Sequence, residues 1–332
     1  MSYLRLVSKL KPVLPSVSKE KLPLESLSFR NWWHLFARHT SVVEPNETIR
    51  TALRIMVHRG FRHLPVVRRD TGREGPGEIL GIISAADLID FIEQGQLVSG
   101  LDDPVSKIMS DNPITIRPSQ TILDAIREIS QKNIGALLIE EEERERSFQL
   151  RNYAALSAQS PRLQGIVTLR DIVSVMATYV PIGVKVEDFM TRDAVTIDEN
   201  DPISSAISLM SAKRVRRLPV VLNDRVEGMV TNKMILRYLE SIIAYDMRDV
   251  NAAVVLPVKT TMISPMPLID PKEDCGNALY LMRELGTGGF AVVDSRGFLG
   301  VITERDLVKR IHDKKGLSFF SELFLQDRMI QA

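Results

Sequence analysis

The sequence predicts an α+β protein built from four copies of one β-α-β-β-α unit. Three observations carry this. A stretch beginning Gly-h-h-Ser/Thr, where h is apolar, recurs as Gly81–Asp87, Gly165–Asp171, Gly228–Met234 and Gly300–Asp306. A helical segment precedes each copy and carries an alanine at the same place, Ala52, Ala125, Ala206 and Ala278, spaced 73, 81 and 72 residues apart. A short, branched apolar run lies between the alanine and the closing stretch each time. Self-similarity at a fixed period is the mark of a repeat architecture.

Each unit opens on a short strand: Ser41–Val43, Ile114–Ile116, Val195–Ile197 and Pro267–Ile269. An amphipathic helix follows, with apolar residues at helical spacing such as Ile203, Ala206, Ile207 and Met210. The second strand is Leu64–Val67, Ala136–Ile139, Leu218–Val221 and Phe290–Val293, as apolar as a buried strand requires. A turn leads to the third strand, which runs into the recurring stretch. There Ser or Thr stands where a helix N-cap belongs, and in three copies Asp stands three residues on. Helical spacing then resumes, as in Leu307, Val308 and Ile311. A strand that runs straight into a capped helix gathers free backbone N–H groups and a positive dipole end at one point, a natural anion site.

The distance from the alanine to the glycine of the closing stretch locates two insertions. It is 22 residues in units three and four, 29 in unit one and 40 in unit two. The extra residues fall between the second and third strands, at 68–78 and 140–162. The second insert contains the charge run Glu140 to Arg146, which reads as a solvated hairpin extension or, alternatively, a docking loop. The units are placed at 27–93, 104–178, 185–244 and 257–313, with an N-terminal arm at 1–26 and an amphipathic tail at 314–332. Linkers fall near 94–103, 179–184 and 245–256. In the tail Leu317, Phe319, Phe320, Leu323 and Phe324 mark one helical face. That face is expected to pack on the body or on a second copy, a binding helix for another protein being the alternative. Trp32 and Trp33 are expected to cover the adjacent sheet, with base stacking as the other reading. Cys275 stands where Ile49, Ile122 and Ile203 stand in the other units and reads as a core residue.

Composition narrows the function classes. The chain has 332 residues, 44% hydrophobic and 26% charged, with a formal net charge of +1. That balance gives no electrostatic reason to expect nucleic acid or an anionic membrane as partner. One cysteine excludes an intrachain disulfide and makes a cytoplasmic setting the expectation. No apolar run approaches the roughly 20 residues of a spanning helix, and no signal-peptide core is evident. The five histidines show no metal-binding spacing. With no nucleophile–base pair, no metal cluster and no spare domain, no catalytic residue is assigned and no enzyme is expected.

Four such units in one order and at one spacing resemble the CBS domain, named after cystathionine β-synthase. The resemblance covers about residues 27–313. Four units with no further domain are similar to the γ subunit of AMP-activated protein kinase and to stand-alone archaeal CBS proteins. The resemblance implies that the units join through their sheets as two tandem pairs, each with two clefts for adenosine-containing ligands. The expected ligands are AMP, ADP, ATP or S-adenosylmethionine-type compounds, with no required cofactor. A protein partner, or a second copy of the chain, would read the bound state.

It also implies site residues. In the family the terminal Asp holds the ribose hydroxyls and the Ser or Thr holds phosphate, which gives Ser84 and Asp87, Thr168 and Asp171, and Thr303 and Asp306. A carboxylate accepts both protons of a cis-diol, at roughly 1.5–3 kcal/mol per charge-assisted bond. Unit three departs: Thr231 is present but Met234 replaces the carboxylate, so this site is expected to be empty or to take something other than a nucleotide. Ten residues after each alanine stand Arg62-His63, Gly135-Ala136, Arg216-Arg217 and Gly288-Gly289. Each pair thus joins one basic unit to one small-residue unit. Basic side chains at this point meet phosphates in the family, and arginine's planar fork suits that task; the alternative is a solvated strand start. His63 reads either as a phosphate contact or as a surface residue. The glycines leave room for a ligand or a facing backbone. Arg170, Arg305 and Lys233 add charge, and Thr115 and Thr196 match the first-strand threonine that lines the adenine pocket in the family. Each Ser/Thr-x-x-Asp is equally legible as a capping box, so a ligand sensor and a constitutive scaffold are the two competing functions.

Overall fold

A computed structural model describes residues 41–69, 77–97, 99–141, 161–177, 182–223, 225–245 and 250–324. The N-terminal arm, Trp32, Trp33, most of the charged insert of unit two, the side chain of Phe324 and residues 325–332 lie outside the described residues.

In unit one, helix α1 (Ile49–Arg59) is followed by strands β1 (His63–Arg68) and β2 (Glu78–Ser84) and helix α2 (Ala85–Glu93). Its opening strand is reduced to one parallel bridge between Val43 and Val66. Unit two contains β3 (Thr115–Ile116), α3 (Ile122–Lys132), β4 (Ala136–Glu140), β5 (Leu163–Thr168) and α4 (Leu169–Met176). Unit three is introduced by α5 (Val186–Phe189) and contains β6 (Ile197–Asp198), α6 (Ile203–Lys213), β7 (Arg217–Leu222), β8 (Arg225–Thr231) and α7 (Asn232–Tyr245). A short helix α8 (Val250–Val254) lies within the stretch read as the last linker. Unit four contains β9 (Leu268–Ile269), α9 (Cys275–Glu284), β10 (Gly289–Asp294), β11 (Gly297–Thr303) and α10 (Glu304–Phe324).

The second strand is central in each three-stranded sheet, parallel to the first and antiparallel to the third. All four hairpins shift register at the same place, and the glycine of the closing stretch is the partner just before that shift: Val66 with Gly81, Ile139 with Gly165, Val220 with Gly228, Val292 with Gly300. The residue eight places after each reference alanine has a left-handed backbone: Gly60, Asn133, Arg214 and Gly286. It ends the first helix and turns the chain sharply into the second strand.

Burial explains the pairing. Val67 and Ile79 of unit one pack on Ala136, Leu138, Leu163 and Ile166 of unit two, so these sheets face each other. Met229 of unit three packs on Met266 and Ala291 of unit four in the same way. The helices then join the pairs. One core unites the helices of units one and three, including Leu53, Ile89, Ile207 and Leu239. The other unites units two and four, including Ile126, Ile172, Leu279 and Ile311. Each such side chain contributes about 1.5–3 kcal/mol on full burial. The two pairs therefore close on one another within a single chain, through helices rather than sheets.

Cys275 is buried in the second of these cores, as its alignment with three isoleucines implied. The tail continues the last helix across a kink at Gly316 and lays Phe320 into the same core, with Leu317, Phe319 and Leu323 against it. That face packs on the body.

Candidate functional site

The repeated geometry of the units places each closing stretch at a cleft walled by both members of its pair. In three of the units the segment leading into the first strand of the paired unit crosses the third strand. Ser110, leading into unit two, exchanges backbone hydrogen bonds of 2.9 and 3.0 Å with Ile82 of unit one. Thr191, leading into unit three, does the same with Val301 of unit four, and Ile263, leading into unit four, with Met229 of unit three. The motif glycine is the crossing point. A Cβ on Gly81 would lie 2.6 Å from the Ser110 carbonyl and one on Gly228 2.5 Å from that of Ile263, while Gly300 would collide with the Thr191 carbonyl. No side chain fits there.

Four clefts open beside the closing stretches. The Asp171 cleft, about 250 Å³, is walled by Phe61, Arg62 and His63 of unit one and by Thr168, Arg170 and Asp171 of unit two. Arg216 and Glu304 reach it from the other pair. The Asp306 cleft, about 220 Å³, collects Thr303, Arg305, Asp306, Arg216 and Arg217, together with Arg62 from the first pair. The Asp87 cleft, about 420 Å³, collects Ser84, Asp87, His63 and Arg216. A fourth, about 270 Å³, lies at Thr231 and Met234. Thr115 and Thr196 line none of these; the residues before them, Ile114 and Val195, do, because successive strand residues face opposite ways. This corrects the assignment of those two threonines.

The three aspartates complete capping boxes. One oxygen of each, Oδ2, accepts the backbone N–H of Ser84, Thr168 or Thr303 at 2.7, 2.7 and 3.0 Å. The Thr168 and Thr303 hydroxyls also donate to it, at 2.6 Å. The second oxygen separates the sites. In Asp306, Oδ1 accepts the Thr191 hydroxyl at 3.0 Å and pairs with Arg310 Nε at 3.1 Å. In Asp87 and Asp171 it has no donor among the described residues. Burial pushes both of these carboxyls up from the ordinary range, against the pull of their cap hydrogen bonds.

The central space is strongly basic. His63 and Arg216 lie over Gly135, whose added Cβ would be 2.8 Å from each, and Arg217 lies over Gly288 and Gly289. The small residues thus make room for cationic side chains, Arg216 arriving from the opposite pair. Burial and the neighbouring cations push the Arg216 and Arg217 guanidinium groups down to about 9 and about 10, still charged at neutral pH. Burial and then Arg216, Arg62 and Arg305 push His63 down to about 3, so its ring is neutral. Arg305 is held by Asn133, donating to its backbone and side-chain oxygens at 2.6 Å, which ties unit four to unit two. Arg217 Nη1 is buried with no hydrogen-bond partner among the described residues. A buried, unpaired guanidinium nitrogen is costly unless an anion meets it.

One carboxylate answers this charge, and sequence reasoning missed it. Glu304 is buried and accepts Arg62 Nη1 at 3.2 Å and Arg170 Nε at 3.3 Å, uniting units one, two and four. Burial raises its carboxyl, but Arg62, Arg217 and Arg170 outweigh that and hold it below the ordinary range. The signal was present in the repeat itself: the matching positions are Ala85, Leu169 and Asn232. An acid where two of the other units carry apolar residues is a departure of the same kind as Met234. Among the described residues no cluster is placed to hold a metal ion, and no helix is long and apolar enough to cross a membrane.

Four repeated units with this topology and these crossings define a CBS-domain protein. The profile of that family matches residues 37–94, 105–146, 186–241 and 258–313, and the chain belongs to the CBS-domain family. Among its relatives is an uncharacterised 33.4 kDa protein of a ribosomal RNA operon in Thermofilum pendens, 26% identical over 84% of this chain and 90% of that one. Another is the uncharacterised protein MJ1225 of Methanocaldococcus jannaschii, 27% identical over 80% of this chain and 93% of that one. The crystal structure of MJ1225, described as a candidate archaeal homologue of the γ subunit of AMP-activated protein kinase, superposes with a TM-score of 0.71 over 84% of this chain and 99% of that one, at 24% identity. An uncharacterised conserved protein from Pyrococcus horikoshii shares the fold at a TM-score of 0.53 and 16% identity, over 83% of this chain and 97% of that one.

Proposed function

We propose that the chain is a regulatory, ligand-sensing protein that binds adenine nucleotides or related adenosyl compounds in its three aspartate-bearing clefts. The observation that carries this reading is the central basic cluster onto which the clefts open, with its buried Arg217 nitrogen that has no partner among the described residues. A ribose would supply donors to the open oxygens of Asp87 and Asp171, at Asp306 it would take the place of the Thr191 hydroxyl on Oδ1, and phosphates would meet Arg62, Arg216 and Arg217. Every cleft is walled by two units and receives side chains from the opposite pair, so a bound ligand favours one arrangement of the pairs over another. A partner protein in the same cytoplasmic setting reads that arrangement, which would couple it to the cell's adenylate state. A ligand shifts such an equilibrium by its differential affinity for the two arrangements.

A second reading, a constitutive scaffold, is favoured by one feature. The capping boxes are complete with no ligand, and that is all a structural role needs. Thermal unfolding with AMP, ADP, ATP and S-adenosylmethionine separates the two. A ligand held at a hundred times its dissociation constant stabilises by about 2.7 kcal/mol per site. At least one of the four is expected to raise the midpoint; if none does, the scaffold reading stands.

A further inference from the structure

We propose that the Met234 cleft is a binding site for a phosphate chain that seats no nucleoside there. Its wall holds Arg62, Arg170, Arg217, Lys233 and Arg237, with no Asp or Glu among the lining residues. Each of the other three clefts carries at least one carboxylate. The replacement of Asp by Met234 removes the ribose acceptor and, with it, the negative charge that would have offset these cations.

Several features of unit three point the same way. Lys233 and Arg237 lie four residues apart on α7 and share a face, where like charges repel. Neither side chain has an ion-pair or hydrogen-bond partner among the described residues. Glu304 neutralises Arg62 and Arg170 but is not in contact with this pair. Thr231 Oγ1 accepts the Met234 N–H at 3.3 Å and so caps α7, while its own proton has no carboxylate to go to. The buried Arg217 Nη1, without a partner among the described residues, belongs to a side chain in the same wall. Burial, then Arg237, Arg62 and Arg170, push the Lys233 ammonium down from its ordinary range, as expected of a cation waiting for an anion. The multiple donors suit the several oxygens of a phosphate chain better than a single carboxylate. Arg62, Arg170 and Arg217 are shared with the aspartate-bearing clefts, but Lys233 and Arg237 line none of them, so changes at these two residues report on this site alone.

The phosphate chain has two sources: a free polyphosphate, or the tail of a nucleotide seated in a neighbouring cleft. Calorimetric titration of the full chain with tripolyphosphate, ATP and AMP, for the wild type and a Lys233→Gln/Arg237→Gln double variant, distinguishes them. The double variant is expected to bind tripolyphosphate at least tenfold more weakly and AMP within twofold of the wild type. If tripolyphosphate does not bind but ATP alone weakens tenfold, the site holds a nucleotide tail, which also supports the assignment. The proposal is overturned if neither compound responds to the change, or if AMP weakens as much as they do. Arg237 is exposed, so Arg237→Gln alone keeps the test open should the double variant fail to fold. A wild type that binds no AMP sinks the adenosyl reading without touching this one.

Discussion

Asp171 and Met234 occupy the same place in their repeats, and the chemistry of that one position decides what each cleft offers a ligand. Asp171 spends Oδ2 on its own cap and keeps Oδ1 open; Asp306 spends both oxygens on protein donors. Replacing Asp171 with Asn removes a charged acceptor worth roughly 1.5–3 kcal/mol. Asp171→Asn is therefore expected to weaken AMP binding at its cleft by about ten- to a hundredfold in a calorimetric titration. Met234→Ala should leave AMP affinity unchanged, and equal responses of the two variants would contradict the assignment. His63 makes a different test. Its folded pKa of about 3 lies below its ordinary 6.5, so the unfolded chain takes up a proton that the folded chain refuses. Its contribution is whole above pH 6.5 and is lost as the pH falls from there toward 3, by up to about 1.4 kcal/mol per pH unit. Asp87 and Asp171 act with the opposite sign, because burial raises their folded values and ionising them costs stability as the pH rises. Urea unfolding between pH 6 and pH 4 should show a shallower loss of stability for His63→Gln than for the wild type. Parallel curves would mean that the ring is solvated.

The elements were largely legible because their signals are local. Thr121 and Asp124 announce α3 through a complete capping box, and the apolar spacing of α6 is visible in four side chains. The second strands extend only one or two residues beyond the branched runs that predict them. What was not legible depends on contacts far apart in the chain. The motif glycine reads as a feature of its own strand, yet in units one, three and four it is required by a carbonyl from the other unit of the pair, as Gly81 is by Ser110. Gly135 reads as space for a ligand or a backbone and proves to be space for Arg216 of another pair. Thr115 and Thr196 were displaced from their clefts by one residue, the smallest error strand geometry allows and one that reverses the face. Gly81 offers a clean measure of the crossing, because its backbone is not in the left-handed region and only the Cβ contact opposes a side chain. Gly81→Ala is expected to destabilise the fold by about 1–3 kcal/mol in chemical denaturation, the usual cost of forced overpacking. An unchanged midpoint would show that the Ser110 segment moves aside without cost.

At the level of the whole chain, two kinds of interface divide the labour. Sheets make the pairs, and helices bring the pairs together, with Ser211 Oγ donating to Asp90 at 2.6 Å and Ser208 Oγ to Glu93 at 2.8 Å between units one and three. On the other side Lys309 and Arg305 of unit four reach backbone carbonyls of unit two. Arginines from all four units, Arg62, Arg170, Arg217 and Arg305, line adjoining clefts, and Glu304 is paired with two of them. Like charges so placed oppose closure of the pairs unless anions join them, which on the proposed function would link the occupancy of the clefts to the arrangement of the whole molecule. A crystal structure of the chain grown with saturating AMP tests this most directly. The account predicts AMP in aspartate-bearing clefts, its ribose on Asp87 or Asp171 and its phosphate on Arg62, Arg216 or Arg217, with no nucleoside at Met234. Clefts free of nucleotide at saturation, or AMP seated at Met234, would contradict it.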